Sequence, residues 1–269
     1  MTNPFLRWAG SKRQLLPILA KHWSGNYCRY VEPFAGSACL FFHLSPSAAL
    51  LGDVNEDLVH TYRQVRDRVH LVGSTLKRMH KSKREYLRLR SLDPNSLAGH
   101  ERAARFIYLN RFCFNGLYRT NNSGRFNVPY SGRKTGDLPT PEELAQCSKL
   151  LRGAELVVGD FSDALQKVQN GDFVYMDPPF SVRSRRVFNE YDRSTFGPDH
   201  LKRLRRWMEK LKERNISFLV SYAESEEADF LKTGFNTHRV SVRRNIAGFA
   251  GHRSRSNEIL ISYTASRKR

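Results

Sequence analysis

Short apolar runs, each bounded by glycine, proline, aspartate or serine, recur along the chain. Runs of this kind are typical of parallel strands that are buried on both faces. Helical stretches lie beside them, over Lys12 to His22 and over Pro198 to Arg214. This alternation predicts an α/β fold with an open, mostly parallel sheet. The predicted strands are Tyr30–Glu32, Ala48–Gly52, Glu155–Gly159, Phe173–Met176 and Ser217–Ser221.

The last two strand-like segments have a different pattern. His238 to Arg244 and Glu258 to Tyr263 alternate apolar and polar residues and flank a loop rich in glycine, serine and arginine. Such alternation predicts an antiparallel hairpin at one edge of the sheet.

Strand signals are missing between about Asp57 and Cys147, where the sequence is helical and charged. We therefore expect an inserted, mainly helical subdomain over residues 57–147. The remaining residues, 1–56 and 148–269, would form the catalytic domain. No proline- or serine-rich linker is present, so the insertion should pack on the core.

Charge adds a functional constraint. The chain has 45 Lys and Arg against 26 Asp and Glu, a formal net charge of +19. The excess is spread along the chain, so the folded surface itself should be basic and attract a polyanion, most simply nucleic acid. The alternative is a charged face that serves only solubility. The basic segments are Arg63–Arg68, Lys77–Arg90, Arg183–Arg186, Lys202–Arg214 and Arg243–Arg255.

Other features exclude some classes of protein. The four cysteines lie far apart and form no zinc-binding pair, so no metal is expected. No apolar run approaches the roughly 20 residues that cross a bilayer, and the start has no signal-peptide pattern. A cytoplasmic location is expected.

Acidic residues stand at the ends of three predicted strands, where ligands of open parallel sheets bind. Glu32 begins a tight loop of small residues that ends at Ala38, and Asp53 lies 21 residues later. An acid at about this spacing accepts hydrogen bonds from ribose hydroxyls in dinucleotide sites. The loop lacks the P-loop pattern, and Glu32 would repel phosphate. A nucleoside with a positive charge, such as S-adenosylmethionine, fits better, although glycine-containing strand–helix turns are common without any ligand.

The third acid opens the tetrapeptide Asp177-Pro178-Pro179-Phe180. The exocyclic amine of adenine is a poor nucleophile because its lone pair is delocalised into the ring. A carboxylate oxygen of Asp177 and the carbonyl of Pro178 could accept its two N–H bonds and direct the lone pair at a methyl group. The prolines make the loop stiff, and Phe180 offers a face on which an extruded base could stack. The plainer alternative is an acid that caps a proline turn.

With these motifs the chain resembles the Dam-type DNA adenine methyltransferases, in which the target-recognition region lies between the cofactor-binding and catalytic motifs. The resemblance covers nearly the whole chain. It implies a Rossmann-like methyltransferase sheet, S-adenosylmethionine as methyl donor with S-adenosylhomocysteine as product, and base flipping in duplex DNA, with GATC as the expected target. The matching segments, in family order, are Phe5–Lys12, Val31–Ala38, Asp53, Asp160-Phe161 and Asp177–Phe180.

The resemblance also assigns residues. Those implied to bind the cofactor are Trp8, Ala9, Gly10, Lys12, Glu32, Pro33, Phe34, Gly36, Ser37, Asp53, Asp160, Phe161 and Asp177. Those implied to bind DNA are Arg7, Phe114, Asn115, Leu117, Arg119, Asn127, Pro129, Arg133, Arg243 and Arg244, with Arg119 as the reader of guanine. Phe180 and Tyr191 would contact the flipped base. For the aromatic residues of the insertion, core packing is the alternative, and for Arg7 and Arg119 it is contact with phosphates only. Arg243 and Arg244 flank the loop between the last two strand-like segments, where phosphate contact is expected and a solvated turn is the alternative.

The chain departs from relatives in several places. Phe180 stands where many have tyrosine, Ser11 where they often have glycine, and Ser37-Ala38 where they often have a second glycine. Cytosine methylation, methylation of RNA or of protein glutamine, and a catalytically silent DNA-binding module stay open as alternatives. A partner restriction endonuclease and a monomeric state are further expectations.

Overall fold

The computed structural model describes most of the chain, and for residues 242, 243, 255 and 256 it describes the backbone alone. The described residues are 2–121, 123–132, 135–179, 196–243 and 255–266. Within them, no helix is both long and apolar enough to cross a membrane.

A seven-stranded sheet organises the molecule, with strand order β3-β2-β1-β4-β5-β7-β6. The first five strands are parallel, whereas β7 runs antiparallel to both β5 and β6. The strands are β1 (Arg29–Glu32), β2 (Ala49–Asp53), β3 (Ala154–Val158), β4 (Asp172–Met176), β5 (Ser217–Ala223), β6 (Asn236–Arg243) and β7 (Arg255–Tyr263).

The predicted fold class is confirmed, because each predicted strand overlaps an observed one. Apolar residues explain the central strands: β4 is buried along its whole length, and only the first residue of β1 and the last of β5 are partly exposed. The predicted hairpin is present, with β6 as the outer strand.

Helices cover both faces of the sheet. They are α1 (Leu16–Leu19), α2 (Cys39–Leu44), α3 (Glu56–Lys77), α4 (Lys83–Ser91), α5 (Gly99–Phe112), α6 (Pro141–Leu151), α7 (Phe161–Gln166), α8 (Pro198–Glu213) and α9 (Glu226–Lys232). Short 3-10 turns occupy Arg13–Leu15, Ala20–His22, Pro94–Ser96 and Phe114–Gly116. Helix α3 is kinked at Arg68, whose φ of −137° is not helical.

The predicted helical stretch over Lys12 to His22 is helical from Arg13 to His22, but it is not one continuous α-helix. Only Leu16–Leu19 is α-helical, and a 3-10 turn lies on each side of it. Pro17 is the physical reason, since proline has no N–H to donate and is accommodated in the first turn of an α-helix. By contrast, α8 matches its prediction, and its stripe of Leu201, Leu204, Met208 and Leu211 is buried.

The inserted region shares its core with the sheet. Tyr62 of α3, Tyr108 of α5 and Leu219 of β5 belong to one cluster of buried side chains. Arg63 and Arg66 of α3 also donate hydrogen bonds to carbonyls of β3. The insertion is thus packed against the catalytic part, as the missing linker predicted. The boundary at residue 147 falls inside α6, and the division into domains stays a prediction.

Candidate active site

Three carboxylates stand at one edge of the sheet, where neighbouring parallel strands end. Glu32 ends β1, Asp53 ends β2, and Asp177 follows β4 directly. All three line one open cavity of about 1210 Å³. Pockets for drug-sized ligands hold roughly 300–1,000 Å³, so this cavity has room for a nucleoside and a second flat group beside it.

Glu32 is a buried acid with 3% of its surface exposed. It accepts a hydrogen bond from the Tyr30 hydroxyl at 2.9 Å. Burial, reinforced by the nearby charges of Asp177 and Asp53, outweighs that hydrogen bond and raises the pKa of Glu32 well above its ordinary value. A cation in the cavity would stabilise the charged form of Glu32, whereas a phosphate would destabilise it further.

Asp53 holds the backbone of the small-residue loop. Its Oδ2 accepts from the Gly36 N–H at 2.9 Å, and its Oδ1 accepts from the Asn55 N–H at 2.9 Å. Burial raises the pKa of Asp53, although these backbone hydrogen bonds partly offset the effect. The Tyr62 hydroxyl donates to the Gly36 carbonyl at 2.6 Å, so Gly36 is fixed on both sides.

Gly36 is a glycine by necessity. Its φ is +47°, in the left-handed region, and an added Cβ would lie 2.8 Å from Cδ1 of Trp8. Trp8 in turn stacks on Tyr118, with ring centroids 6.3 Å apart and planes 18° apart. The two following residues, Ala9 and Gly10, are exposed and line the cavity.

Ser37 and Ala38 of the same loop stand where relatives often have a second glycine, and Ser11 of the opening motif stands where they often have glycine. Ala38 adopts a left-handed φ of +48°, which glycine would adopt without strain. The hydroxyls of Ser11 and Ser37 are 3.4 Å apart and join the opening motif to the loop.

An aromatic wall closes another side of the cavity. Phe34 stacks on Phe161 with centroids 5.1 Å apart, and Phe196 packs edge-on against Phe34 at 6.0 Å. The neighbouring Asp160 caps α7 through the Ser162 N–H and forms an ion pair with Arg203. Burial opposes the charge of Asp160, but these partners outweigh it and lower its pKa.

Lys12 lies against the carboxylate of the tetrapeptide. Its Nζ is 2.7 Å from Oδ1 of Asp177 and 3.8 Å from Oε2 of Glu258. Both Lys12 and Glu258 are buried, with 5% and 3% of their surfaces exposed. Lys12 was predicted as a cofactor residue, and the structure places it in contact with the predicted catalytic acid. Next to Asp177, Pro178 is buried and Pro179 exposed, and both line the cavity.

The predicted DNA-reading residues form a loose hairpin in the insertion. A bridge pairs Thr120 with Phe126, and Arg119 accepts at its carbonyl from the Asn127 N–H. Arg119 Nε also donates to Oδ1 of Asn127 at 2.7 Å, so Asn127 orients the guanidinium. Apolar side chains at Phe114, Leu117 and Pro129 are exposed beside it.

Arg7 lies at the base of this hairpin. Its backbone exchanges two hydrogen bonds with the Asn110 side chain, and its guanidinium donates to the Arg111 carbonyl at 3.0 Å. Gly116 approaches so closely that an added Cβ would be 3.0 Å from Cβ of Arg7. Arg7 therefore adjoins the Phe114-Asn115 turn, as its predicted role requires.

Some predicted residues lie outside the described residues, namely Arg133, Phe180, Tyr191 and Arg244, and for Arg243 only the backbone is described. Their contacts with DNA or with a flipped base stay predictions.

The sequence reasoning missed several residues of this region. Ser221, at the end of a predicted parallel strand, donates to Asp177, and a search of every strand end would have found it. Tyr118 lies between Leu117 and Arg119, which were both predicted to read DNA. Because neighbouring side chains of an extended segment point to opposite sides, the sequence indicated that the Tyr118 side chain points inward. Nothing in the sequence alone pointed to Arg203 or Glu258.

The strand order and the antiparallel last strand are those of a Rossmann-like methyltransferase fold. The family model of the D12 class N6 adenine-specific DNA methyltransferases matches residues 8–246. The chain belongs to this family, which confirms the enzyme class that the sequence predicted.

Relatives match over nearly their whole length. The type II methyltransferase M1.LlaDCHI of Lactococcus lactis subsp. cremoris is 34% identical, and the match covers 97% of this chain and 95% of the relative. The type II methyltransferase M.MjaIII of Methanocaldococcus jannaschii is 32% identical, with 91% and 92% covered. The DNA adenine methylase of Escherichia coli is 30% identical, with 96% and 94% covered.

Among the residues that the structure describes, no group of three or more His, Cys, Asp or Glu is placed to hold a metal ion.

Proposed function

We propose that this enzyme transfers a methyl group from S-adenosylmethionine to the exocyclic amine of adenine in duplex DNA, within GATC, after the adenine has been flipped out of the helix. Family membership supports adenine in DNA as the substrate. The target sequence and the flipping rest on the resemblance to Dam-type enzymes, and the methyl donor rests also on the residues of the cavity.

The donor set of the cavity fits S-adenosylmethionine. Asp53 at the tip of β2 would accept from the ribose hydroxyls, and the wall of Phe34 and Phe161 would hold the adenine ring beside Asp160. Glu32 would supply a buried negative charge for the cationic part of the molecule, and Gly36 holds the small-residue loop against Trp8 on the cavity wall. The remaining predicted contacts are Trp8, Ala9, Gly10, Lys12, Pro33 and Ser37, all on the cavity wall. When bound, this donor supplies an electrophilic methyl group.

Asp177 and Pro178 would act on the adenine. The carboxylate and the Pro178 carbonyl each accept one N–H of the exocyclic amine, which fixes the nitrogen with its lone pair toward the methyl group. As it takes the methyl group, the amine releases one proton to solvent. A loop built from two prolines presents its acceptors without reorganising. Phe180 and Tyr191 would hold the flipped ring by stacking.

DNA would bind on the basic surface and be read by the hairpin. The excess of 19 positive charges favours association with any duplex. Arg119, oriented by Asn127, would donate two hydrogen bonds to guanine, and Leu117 and Pro129 would contact neighbouring bases. Phe114 and Asn115 would fill the gap that the flipped base leaves, and Arg7 would contact the duplex close by. Arg133, Arg243 and Arg244 would bind phosphates.

One observation carries the proposal. Asp177-Pro178 lines the same cavity as Glu32 and Asp53, so an amine acceptor faces the site that fits a cationic nucleoside. A cofactor site elsewhere in the fold could not serve the tetrapeptide.

Incorporation of tritiated methyl groups into short duplexes tests this function. We expect transfer to a GATC duplex, little to a duplex with a scrambled site, and none to a duplex whose target adenine already carries the methyl group. Asp177→Ala should abolish transfer and retain DNA affinity. Asp229→Ala, which removes an exposed acid from α9, is the control and should keep the normal rate. A normal rate for Asp177→Ala would overturn the assignment, and labelling of cytosine would favour the alternative base.

We further propose that the enzyme works as a monomer without metal and has a partner restriction endonuclease. Two of the relatives are named type II methyltransferases, which supports the partner. Transfer should therefore persist in EDTA and release S-adenosylhomocysteine. Sedimentation with one duplex should give a complex of one protein chain, and a dimer would contradict this part of the proposal.

A further inference from the structure

The carboxylate of Asp177 is held by two residues from separate parts of the chain. Ser221 on β5 donates its hydroxyl to Oδ1 of Asp177 at 2.9 Å. Lys12, from the opening segment, approaches the same oxygen at 2.7 Å. Both partners are buried, with Ser221 at 0% and Lys12 at 5% exposure, so water competes little for these contacts.

Behind Ser221 stands a second hydroxyl. The Tyr175 OH lies 2.9 Å from Oγ of Ser221, and Tyr175 is 1% exposed. Because Ser221 gives its only proton to the carboxylate, Tyr175 must be the donor in the second hydrogen bond. The order of donation is therefore Tyr175 to Ser221 to Asp177.

The register of the sheet explains this chain. Met176 on β4 pairs with Val220 on β5. Asp177 directly follows Met176 and Ser221 directly follows Val220, so the two residues are neighbours across the strands. Tyr175 and Asp177 are two residues apart and point to the same side of the sheet. Both hydroxyl donors of this series of hydrogen bonds, Tyr175 and Ser221, thus lie on central strands of the sheet.

We propose that Ser221 is a positioning residue for methyl transfer, with Tyr175 as its support. Ser221 and Lys12 occupy Oδ1, so Oδ2 is the oxygen that Asp177 presents to the adenine amine. Since a rotation of the carboxylate would exchange the two oxygens and misdirect the amine, the two donors fix its angle. This inference rests on the proposed role of Asp177.

The charge balance of the group fits this role. Lys12 is a buried cation between two carboxylates, those of Asp177 and Glu258. Glu258 on β7 is itself buried and keeps a second negative charge near the ammonium. Lys12 can therefore remain beside Oδ1 when the adenine amine engages the other oxygen.

Single-turnover methyl transfer at saturating donor and GATC duplex, together with steady-state rates over a range of each substrate, tests the inference on the full-length enzyme. Ser221→Ala should lower the rate about 10- to 100-fold, as expected for a misdirected reacting group, and change the KM for either substrate by less than about 3-fold. Tyr175→Phe acts one bond further away and should lower the rate less, by about 3- to 10-fold. Ser217→Ala is the matched control, because Ser217 is a buried serine at the other end of the same strand and accepts from the Ala265 N–H.

The outcomes separate this inference from the proposed function. If Asp177→Ala is inactive and Ser221→Ala keeps at least half of the normal rate, the positioning role is wrong and the proposed function stands. If Asp177→Ala retains transfer, the proposed function itself fails. A loss in Ser221→Ala that Ser217→Ala shares, or that appears mainly in KM, would show a structural effect and overturn the inference. If Ser221→Ala does not fold, Tyr175→Phe decides by the same criteria.

Discussion

Gly36→Ala probes the cradle that joins the predicted cofactor loop to Trp8. The backbone of Gly36 cannot move easily, because Asp53 holds its N–H and Tyr62 holds its carbonyl. The added methyl group would lie 2.8 Å from Cδ1 and 2.9 Å from Nε1 of Trp8. Relief must therefore come from the indole ring, which would shift away from Gly36 and disturb its stacking on Tyr118.

The expected cost has two parts. An alanine in the left-handed region costs about 1–2 kcal/mol. Forcing a methyl group against a packed ring costs typically about 1–3 kcal/mol more. Replacing glycine reduces the entropy of the unfolded chain and returns about 0.4–1 kcal/mol. We expect the free energy of unfolding to fall by about 1–4.5 kcal/mol in total.

Two other glycines separate these parts in urea denaturation. Gly234 has a φ of +78° and open space around it, so Gly234→Ala measures the backbone strain alone. Gly25 has neither constraint, and Gly25→Ala should be neutral or slightly stabilising. The excess loss in Gly36→Ala over Gly234→Ala is then the cost of the contact with Trp8.

Transfer kinetics add a functional measurement. If the cradle holds the methyl donor, Gly36→Ala should raise the KM for S-adenosylmethionine by about 10-fold or more, which is equivalent to about 1.4 kcal/mol of lost binding. Gly234→Ala should leave that KM unchanged. If Gly36→Ala costs no more stability than Gly234→Ala, the indole is free to move and the reasoning about the cradle is wrong.

Three other substitutions test separate parts of the site. Burial raises the pKa of Glu32 above its ordinary 4.5, so the folded protein binds this proton more tightly than the unfolded chain. The free energy of unfolding therefore falls as pH rises from the pKa of the unfolded chain to the raised pKa of the folded protein, and this group adds no further change above it. Glu32→Gln should remove this fall, so in urea titrations the stability of the variant relative to the parent should be greater at about pH 8 than at about pH 5. The variant should also bind S-adenosylmethionine more weakly. The same stability difference between variant and parent at both pH values would refute the assignment. Tyr118→Phe, which removes the 3.0 Å hydrogen bond to Asp57, should lower the free energy of unfolding by about 1–2 kcal/mol, and an unchanged midpoint would show that this bond contributes nothing. Arg119→Lys should keep the affinity for random duplex. In competition assays it should reduce, by about 10- to 100-fold, the discrimination between a GATC duplex and a duplex in which another base replaces the guanine. Unchanged discrimination would show that Arg119 does not read a base.

The strands were predictable because their sequence signal is local. A run such as Phe173–Met176 is apolar throughout, and only a strand covered on both faces needs that composition. The opening segment was less predictable, since its apolar spacing favours a helix and Pro17 decides where the α-helix begins. The acidic strand ends followed from a general rule, because ligands of such sheets bind beyond the carboxyl ends of strands.

Contacts between distant parts of the chain were not predictable from the sequence. Lys12 reaches Asp177, 165 residues later, only because the opening segment packs over the ends of β1 and β4. Glu258 joins them because β7 turns back antiparallel to β5 and brings its side chain to the same edge. No spacing in the sequence encodes these pairings, because they depend on the order of strands in the sheet.

Another contact that the sequence did not predict connects the predicted cofactor loop with the predicted DNA-reading hairpin. Tyr118 stacks on Trp8, which packs on Gly36, and its hydroxyl donates to Asp57 in the first turn of α3. Tyr118 also lies directly between Leu117 and Arg119. Any shift of Trp8 that a bound nucleoside imposes must therefore move the support of the reading residues. The inserted region is thus held at the same loop that the methyl donor would occupy, so binding of the donor and reading of the duplex should be energetically coupled.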